Sequence, residues 1–314
     1  MTMHRRLLPI LALVFCAGLA APAQADFKVG IADQDAAMFD NRKFQALDIE
    51  RVRYLVPFDW YRHSGQEAEV EGFMNRAEQA GAEVLVHFTA RRGCYSDGRY
   101  SRSRKCRAPS VRTYRSAFKR FRREYPSTRT FGVWNEANHV SQPLVRKPTL
   151  AARYFLAARK ACRSCTLVAA DVLDGTNMTS WLTKFKRKAG SKATIWGLHN
   201  YGDVNRRRTS GTRALLRIVP GQVWATETGG ILKFLPGYKR SKSRQAQRTK
   251  FMFSLFRKYD SRQRGMRSRL TRLYNYQWTG VKRSARFDAG LVNPNGSPRP
   301  AYKQFKRLAR PHDR

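Results

Sequence analysis

The sequence predicts an α/β fold in which parallel strands alternate with helices, and three observations support that prediction. Short, almost continuously apolar runs recur along the chain, as in strands that are buried on both faces. Segments with the helical periodicity of apolar residues lie between these runs. The alternation reaches the end of the chain without a stretch typical of a linker, so one domain is expected.

Eight strands are predicted from the apolar runs, over residues 27–31, 53–57, 84–88, 130–134, 167–170, 194–198, 223–226 and 270–276. Helices are predicted over residues 67–80, 111–125, 150–161, 178–188, 213–218, 244–259 and 301–308. Eight strands with seven helices after them, over roughly 285 residues, match a (β/α)8 TIM barrel, which takes about 250 residues plus insertions. An open doubly wound sheet is the alternative. It usually has a glycine-rich first turn, and no G-x-G-x-x-G follows the first strand here.

Residues 1–25 have the features of a secretory signal peptide, so the predicted barrel occupies residues 26–314. Two arginines precede an apolar run over 7–19, and an A-x-A cleavage site precedes Asp26. An uncleaved anchor is the alternative, but the run is shorter than the ~20 residues that a membrane span needs. No other segment is apolar enough to cross a bilayer. We therefore expect a protein that is secreted, extracellular or associated with the cell wall.

The cysteines agree with export. Removal of the signal peptide leaves four, an even number that suggests disulfides outside the cell. Proximity in sequence favours the pairs Cys94–Cys106 and Cys162–Cys165. A zinc site is the alternative, but it needs two pairs with C-x2-C spacing, and only Cys162 and Cys165 have it. A redox role for that pair is disfavoured, because it lies at the end of a predicted helix and not at the start of one.

The net charge of +40 comes from 62 Lys and Arg against 22 Asp and Glu, and it would be +38 without residues 1–25. Disorder is excluded, because 42% of the residues are hydrophobic and 12% aromatic. Such a charge suggests an anionic partner, either a cell-wall polymer or nucleic acid. No specific nucleic-acid motif is present, and charge runs are usually solvated surfaces. The densest basic stretches are 102–107, 119–123, 206–208, 239–248 and 262–272.

Polar and aromatic residues follow the predicted strands, at the end of a barrel where catalytic groups lie. They are Asp59, Trp60, His87, Asn135, Glu136, Asp171, His199, Tyr201, Glu227 and Trp278. Glu136 and Glu227 follow the fourth and seventh strands, which face each other across the barrel mouth. Paired carboxylates are what glycosidic-bond cleavage requires. The alternative is that both glutamates cap helices or pair with arginines.

The other strand-end residues are expected to bind substrate around this pair. Trp278 and Trp60 are suited to stacking on a sugar ring, although both are equally typical of a core. His199 and Tyr201 should point to the same side of the sixth strand and orient Glu227. Asp171 is also expected to bind substrate. No metal or cofactor motif is present, so we expect neither a metal nor a cofactor.

The segments Trp134-Asn135-Glu136-Ala137-Asn138 and Thr226-Glu227-Thr228-Gly229 resemble the strand-four and strand-seven signatures of the clan A retaining glycoside hydrolases, families 39 and 5 most of all. The resemblance implies that Glu136 is the acid/base and Glu227 the nucleophile. It also implies that Asn135 binds the sugar 2-hydroxyl, Tyr201 supports the nucleophile and Trp278 floors the subsite on the non-reducing side. The tail over 287–302 is similar to the ending of such barrels.

Two features depart from that clan. Ala137 stands where proline is common, and the strand-two arginine of many members has no evident counterpart, because Arg53 falls at the wrong end of its strand. The sequence therefore predicts a secreted, monomeric retaining hydrolase of β-linked polysaccharides or oligosaccharides. The alternative is a catalytically degenerate basic barrel that binds an anionic cell-wall polymer or extracellular nucleic acid.

Overall fold

The computed structural model describes residues 27–96 and 98–312, so the expected signal peptide lies outside the described residues. Nine parallel strand segments form a nearly closed barrel, which confirms the predicted α/β barrel. We number the strands of the barrel β1 to β8, and β5 consists of two segments. They are β1 (Lys28–Ala32), β2 (Arg51–Pro57), β3 (Glu83–Thr89), β4 (Thr130–Gly132), β5 (Thr166–Val168 and Asp171–Leu173), β6 (Ile195–His199), β7 (Gly221–Thr228) and β8 (Ser268–Tyr276).

The interruption in β5 is the main departure from the predicted strands. The first segment pairs with β4 and the second with β6. Between them, the Ala169 amide donates to the Ile195 carbonyl at 2.8 Å, and the Gly197 amide donates to the Ala170 carbonyl at 2.7 Å. The chain thus passes from one neighbour to the other and joins the two ends of the sheet. The remaining order around the barrel is β4, β3, β2, β1, β8, β7 and β6.

Helices follow the strands on the outside of the barrel. They are α1 (Arg42–Gln45), α2 (Ser64–Gln79), α3 (Val111–Glu124), α4 (Pro148–Ala161), α5 (Met178–Ala189), α6 (Tyr201–Arg206), α7 (Ser210–Ile218), α8 (Lys242–Tyr259) and α9 (Pro300–Ala309). All seven predicted helices are present with ends shifted by at most a few residues, and α1 and α6 are additional short ones. N-cap hydrogen bonds fix where α3 and α8 begin. The hydroxyl of Ser110 accepts from the Thr113 amide, and that of Ser241 accepts from the Arg244 amide.

The core has two parts. The larger fills the space between strands and helices, where α3 contributes Tyr114, Phe118 and Phe121 and turns its basic residues to solvent. The smaller is a separate cluster of one residue from each of five strands, namely Ala32, Leu85, Val168, Trp224 and Tyr274. This cluster fills part of the barrel interior, and the polar side chains of the mouth fill the rest.

Two small antiparallel ribbons project from the loops after β3, β7 and β8. The disulfide hairpin pairs Tyr95–Ser96 with Arg99–Tyr100, and the rim ribbon pairs Lys233–Phe234 with Phe287–Asp288. Both expected cysteine pairs are at bonding distance, with Cα separations of 5.5 Å for Cys94–Cys106 and 5.4 Å for Cys162–Cys165. Within the described part of the chain, no helix is both long and apolar enough to span a membrane.

Candidate active site

Glu136 and Glu227 meet at the barrel mouth although they are distant in sequence. The Nδ1 atom of His199 lies 3.1 Å from Oε1 of Glu136 and 3.6 Å from Oε2 of Glu227. Both carboxylates therefore reach one imidazole nitrogen, and these two oxygens lie within two hydrogen-bond lengths of each other. Both side chains keep a minor exposed fraction, 19% for Glu136 and 12% for Glu227. The pair is accessible from the mouth while most of its surface is desolvated.

The backbone of Glu136 has a conformation that few residues with a side chain adopt. Its φ angle is 43°, in the left-handed region that favours glycine. The turn is clamped from both sides, because the Asn135 amide donates to the Phe88 carbonyl at 2.8 Å and the Ala137 amide donates to the Asp171 carbonyl at 2.9 Å. Strained backbone that its surroundings hold in place is concentrated at functional sites. The strain here turns the Glu136 carboxyl group towards His199.

Arg53 lies at the centre of the site, so the expectation that it stands at the wrong end of its strand is wrong. Its side chain is fully buried. Nη1 donates to Oε2 of Glu227 at 2.9 Å, and Nη2 donates to Oδ1 of Asn135 at 2.6 Å. The reason is the stagger of the barrel. Arg53 is the third residue of β2, yet it pairs with Ala32, the last residue of β1.

Asp171 lies behind the two glutamates and is fully buried. Its Oδ2 atom is 3.0 Å from Nε2 of His199 and 3.3 Å from Nη2 of Arg53, and Oδ1 accepts from the Thr226 hydroxyl. Burial raises the pKa of Asp171, but the charge and hydrogen bond of His199, together with the charge of Arg53, outweigh it and hold this pKa well below its usual range. The expectation that Asp171 binds substrate is wrong, because all of its surface is covered. It positions His199 and Arg53 instead.

His199 is fully buried as well, so the expectation that it binds substrate is also wrong, and it connects Asp171 to both glutamates. Burial alone lowers the pKa of His199, but Asp171 and Glu227, with hydrogen bonds to Asp171 and Glu136, raise it to about 10. The ring therefore carries a positive charge at neutral pH. Burial raises the pKa of Glu136, but the hydrogen bond and charge of His199 lower it below its usual value. In the resting site, the proton of this pair sits on His199.

Two glycines in the strands make room for this polar layer. A Cβ atom on Gly132 would lie 1.8 Å from Nε2 of His87, and one on Gly197 would lie 2.1 Å from Oδ1 of Asp171. His87 accepts from Nε of Arg53 at 3.2 Å, and burial lowers the pKa of His87 well below its ordinary value. His87 is thus a neutral acceptor under Arg53. Glycine within two apolar strands was a sequence signal of close approach inside the barrel.

Aromatic rings form one wall of the mouth beside Glu227. The Tyr201 hydroxyl donates to Oε1 of Glu227 at 3.0 Å. The Tyr201 ring packs edge-on against Phe287 with centroids 5.9 Å apart, and Tyr276 stacks on the same Phe287 at 6.1 Å. Tyr276 is the last residue of β8 and is half-buried. Sequence reasoning missed Tyr276, because Trp278 two residues later is the larger ring.

Neither tryptophan offers a face to a sugar, so the expectation for both is wrong. Trp278 is 1% exposed and packs edge-on against Phe44 and Tyr302, at 5.4 Å and 5.8 Å between centroids. Trp60 is fully buried against Tyr61 and Phe121. A large apolar ring gains more free energy under the surrounding helices than at a wet mouth. Both tryptophans belong to the core.

An exposed aromatic ring, that of Tyr95, lies near the site on the Glu136 side. His139 lies 3.6 Å from Oε2 of Glu136 through Nδ1, and the ring of Tyr95 is 6.4 Å from that of His139. Tyr95 is 41% exposed and belongs to the disulfide hairpin that the Cys94–Cys106 bond ties down. The two sides of the mouth therefore differ: tyrosines and Phe287 beside Glu227, and His139 with Tyr95 beside Glu136.

The two carboxylates have different partners, and this difference sets what they can do. Each oxygen of Glu227 accepts a hydrogen bond, one from the Arg53 guanidinium and one from the Tyr201 hydroxyl. Glu136 contacts two histidines, one of which carries a proton that can move to it. One carboxylate thus lies between two fixed hydrogen-bond donors, and the other lies beside histidines that can exchange a proton with it. Within residues 27–96 and 98–312, no three His, Cys, Asp or Glu side chains are grouped to hold a metal.

No protein-family model matches the sequence, and no curated protein is significantly similar to it. Solved structures do resemble it. A thermostable mutant of the xylanase Xyn10A from Cellvibrio japonicus superposes with a TM-score of 0.63 at 14% identity, covering 91% of this chain and 99% of that one. The GH53 catalytic domain of Ignisphaera aggregans gives 0.63 at 13% identity, covering 93% and 98%.

A family 39 glycoside hydrolase from Bacteroides cellulosilyticus gives a TM-score of 0.61 at 15% identity and covers 91% of this chain. This chain spans 64% of the length of that enzyme. At such identities the likeness concerns the fold. The chain has the (β/α)8 architecture shared by these clan A glycoside hydrolases.

Proposed function

We propose that the protein is a retaining glycoside hydrolase in which Glu227 is the nucleophile and Glu136 the acid/base. The observation that carries this proposal is the contact of both carboxylates with one nitrogen of His199. The two contacts limit the distance between these oxygens, and that limit is compatible with the separation of about 5–5.5 Å that retaining enzymes need. The shared fold with known glycoside hydrolases adds support.

The first step forms a bond between Glu227 and the sugar. The Glu227 carboxylate attacks the anomeric carbon, and Glu136 gives a proton to the departing oxygen. Because the pKa of Glu136 is lowered in the resting site, we infer that its proton comes from Nδ1 of His199, 3.1 Å away. Asn135, held by Arg53, is then available to the sugar 2-hydroxyl through its amide nitrogen.

The second step restores the enzyme. Glu136, now ionised, takes a proton from water as the water oxygen attacks the anomeric carbon, and the proton then returns to Nδ1 of His199. The bond to Glu227 breaks, and its carboxylate returns to the donors of Arg53 and Tyr201. The sugar leaves with its original anomeric configuration, because each step inverts it once.

We further propose that the substrate is a β-linked oligosaccharide or polysaccharide and that the barrel acts outside the cell as a monomer. Two disulfides support an oxidising compartment. The half-buried rings of Tyr201 and Tyr276 supply stacking surface on the Glu227 side of the cleaved bond. Exposed Tyr95 supplies it on the leaving-group side.

The test is a screen of the purified protein on β-linked glycans and aryl β-glycosides, with Glu136→Gln and Glu227→Gln as matched blanks. We expect hydrolysis by the wild type that both blanks lose, with retained anomeric configuration by NMR. Inverted product, or undiminished hydrolysis by Glu227→Gln, would overturn the roles. Binding of anionic polymers with no hydrolysis of any glycan would favour the degenerate barrel instead.

A further inference from the structure

A small cationic pocket lies beside the active site, on the other side of the rim ribbon. Its volume is about 210 Å³, and it is lined by five basic residues, Lys233, Arg240, Lys282, Arg283 and Arg299, and by one acid, Asp288. These residues come from the loops after β7 and β8, at the end of the barrel that holds the two glutamates. The proposed function assigns this pocket no role.

The one acid of the pocket is already neutralised. Arg299 donates from Nη1 and Nη2 to the two carboxylate oxygens of Asp288, at 2.7 Å and 2.9 Å. Both side chains are buried, and the Gly290 amide adds a third donor to Asp288 at 3.0 Å. Asp288 and Arg299 thus form a rigid, neutral floor, and the remaining lining is positive.

Four cations stand above that floor without an acidic partner. Within residues 27–96 and 98–312, neither Lys233, Arg240, Lys282 nor Arg283 forms an ion pair with a carboxylate. Lys233 is half-buried, and its Nζ donates to the Arg283 carbonyl at 2.8 Å, which leaves two of its three N–H groups for a ligand. Like charges around a small pocket repel one another, and a bound anion relieves that repulsion.

The rim ribbon connects this pocket to the reacting carboxylates. In the backbone register of the ribbon, Lys233 lies opposite Asp288 and Phe234 lies opposite Phe287. Because neighbouring residues in a strand point to opposite sides, the two pairs face opposite sides of the ribbon. On the far side, Phe287 packs against Tyr201, whose hydroxyl donates to Glu227. A glycan that runs past these rings has only the ribbon to cross before it reaches the pocket.

We propose that this pocket binds an oxyanion, a carboxylate or a sulfate ester, carried by a sugar several units from the bond that is cut. The inference rests on the proposed function and narrows it to acidic glycans. Lysine and arginine donors around a small polar cavity match such groups in charge, and the arginine forks match them in geometry. A neutral glycan would leave the four cations without compensation.

The test measures binding by calorimetry in Glu227→Gln protein, so that no turnover occurs. The pocket variant adds Arg240→Gln, Lys282→Gln and Arg283→Gln. The matched control adds Lys192→Gln, Arg262→Gln and Arg264→Gln, three exposed cations before β6 and β8 at the opposite end of the barrel. The probes are β-1,4-linked hexamannuronate, which carries only carboxylates, a κ-carrageenan hexasaccharide, which carries only sulfates, and neutral β-1,4-linked cellohexaose.

We expect the pocket variant to raise the Kd of at least one anionic probe about 10- to 100-fold, as loss of several charge-assisted contacts should do. The Kd values of the control variant should stay within about threefold of those of the Glu227→Gln protein. The probe whose Kd rises more in the pocket variant identifies the anionic group. Equal losses in pocket and control variants, or no binding of either anionic probe, would overturn the proposal.

The outcome is separable from that of the proposed function. If wild-type protein hydrolyses neutral aryl glycosides but the pocket substitutions do not weaken the binding of the anionic probes, the pocket inference is wrong and the hydrolase proposal still holds. If anion binding depends on the pocket but no glycoside is cleaved, the hydrolase proposal fails and the anion site survives only as a binding site.

Discussion

The barrel mouth and the outer helical shell use charge in opposite ways. In the mouth, Arg53 is fully buried and contacts Glu227 and Asp171, and His199 contacts both glutamates. On the shell, the basic residues of α3, such as Arg112, Arg115 and Lys119, are exposed to solvent. Burial makes an unpaired charge costly, so every charge in the mouth needs a partner. We therefore expect the few buried charges to define the chemistry, although the shell dominates the net charge.

The largest expected effect separates the two regions by activity. Glu227→Gln removes the attacking carboxylate, and we expect kcat/KM on an aryl glycoside to fall by about 10⁴-fold or more. Arg112→Gln removes a shell charge and should change kcat/KM by less than about twofold, because exposed single charges interact weakly with a distant site. Similar losses in both variants would show that the buried charges of the mouth have no special role in activity.

The second effect concerns stability. Asp171→Asn leaves Arg53 and His199 without their buried acid and should cost about 3–5 kcal/mol in the free energy of unfolding by urea. Asp40→Asn removes an exposed partner of Arg76 and should cost less than about 1 kcal/mol. Because the folded-state pKa of Asp171 is lowered, its contribution is present above about pH 4 and is lost as the pH falls. An equal cost for the two variants would contradict the account.

The third effect is a shift in pH dependence. His199 has its pKa raised to about 10 and shares its proton with Glu136, so that proton is available until the solution is alkaline. We expect the alkaline limb of kcat/KM in His199→Asn to move at least one pH unit lower, to where Glu136 alone loses its proton. His139→Asn is the matched control, since His139 also contacts Glu136 but lies 32% exposed. An unchanged or higher limb in His199→Asn would refute the shared proton.

The smallest effect separates two aromatic residues that are neighbours in sequence. Tyr276→Ala removes a ring from the mouth and should raise KM about tenfold, with little change in Tm. Trp278→Phe trims a core ring and should lower the free energy of unfolding by about 1–2 kcal/mol, with KM unchanged. The reverse pattern, in which Trp278→Phe raises KM, would restore the original expectation that Trp278 binds sugar.

Periodicity predicted the fold because barrel strands are buried on both faces and helices on one. It missed the break in β5, since apolar Ala169 and Ala170 continue the run through the point where the strand changes neighbours. The convergence of Glu136 and Glu227 followed from strand order alone, and their catalytic roles remain predictions. Arg53 was misplaced because position along a strand does not give height in a staggered barrel. Trp278 and Trp60 were misplaced because sequence shows ring size and not which way a ring points.

A trapping experiment decides whether the paired carboxylates of the mouth perform the chemistry. A 2-deoxy-2-fluoro glycoside with a good leaving group, made for a sugar that the wild type hydrolyses, is mixed with the protein and the adduct is located by peptide mass spectrometry. We predict a covalent sugar on Glu227 in wild type and in Glu136→Gln, and none in Glu227→Gln. A label on any other residue, or an equal label in Glu227→Gln, would show that Glu227 is not the nucleophile.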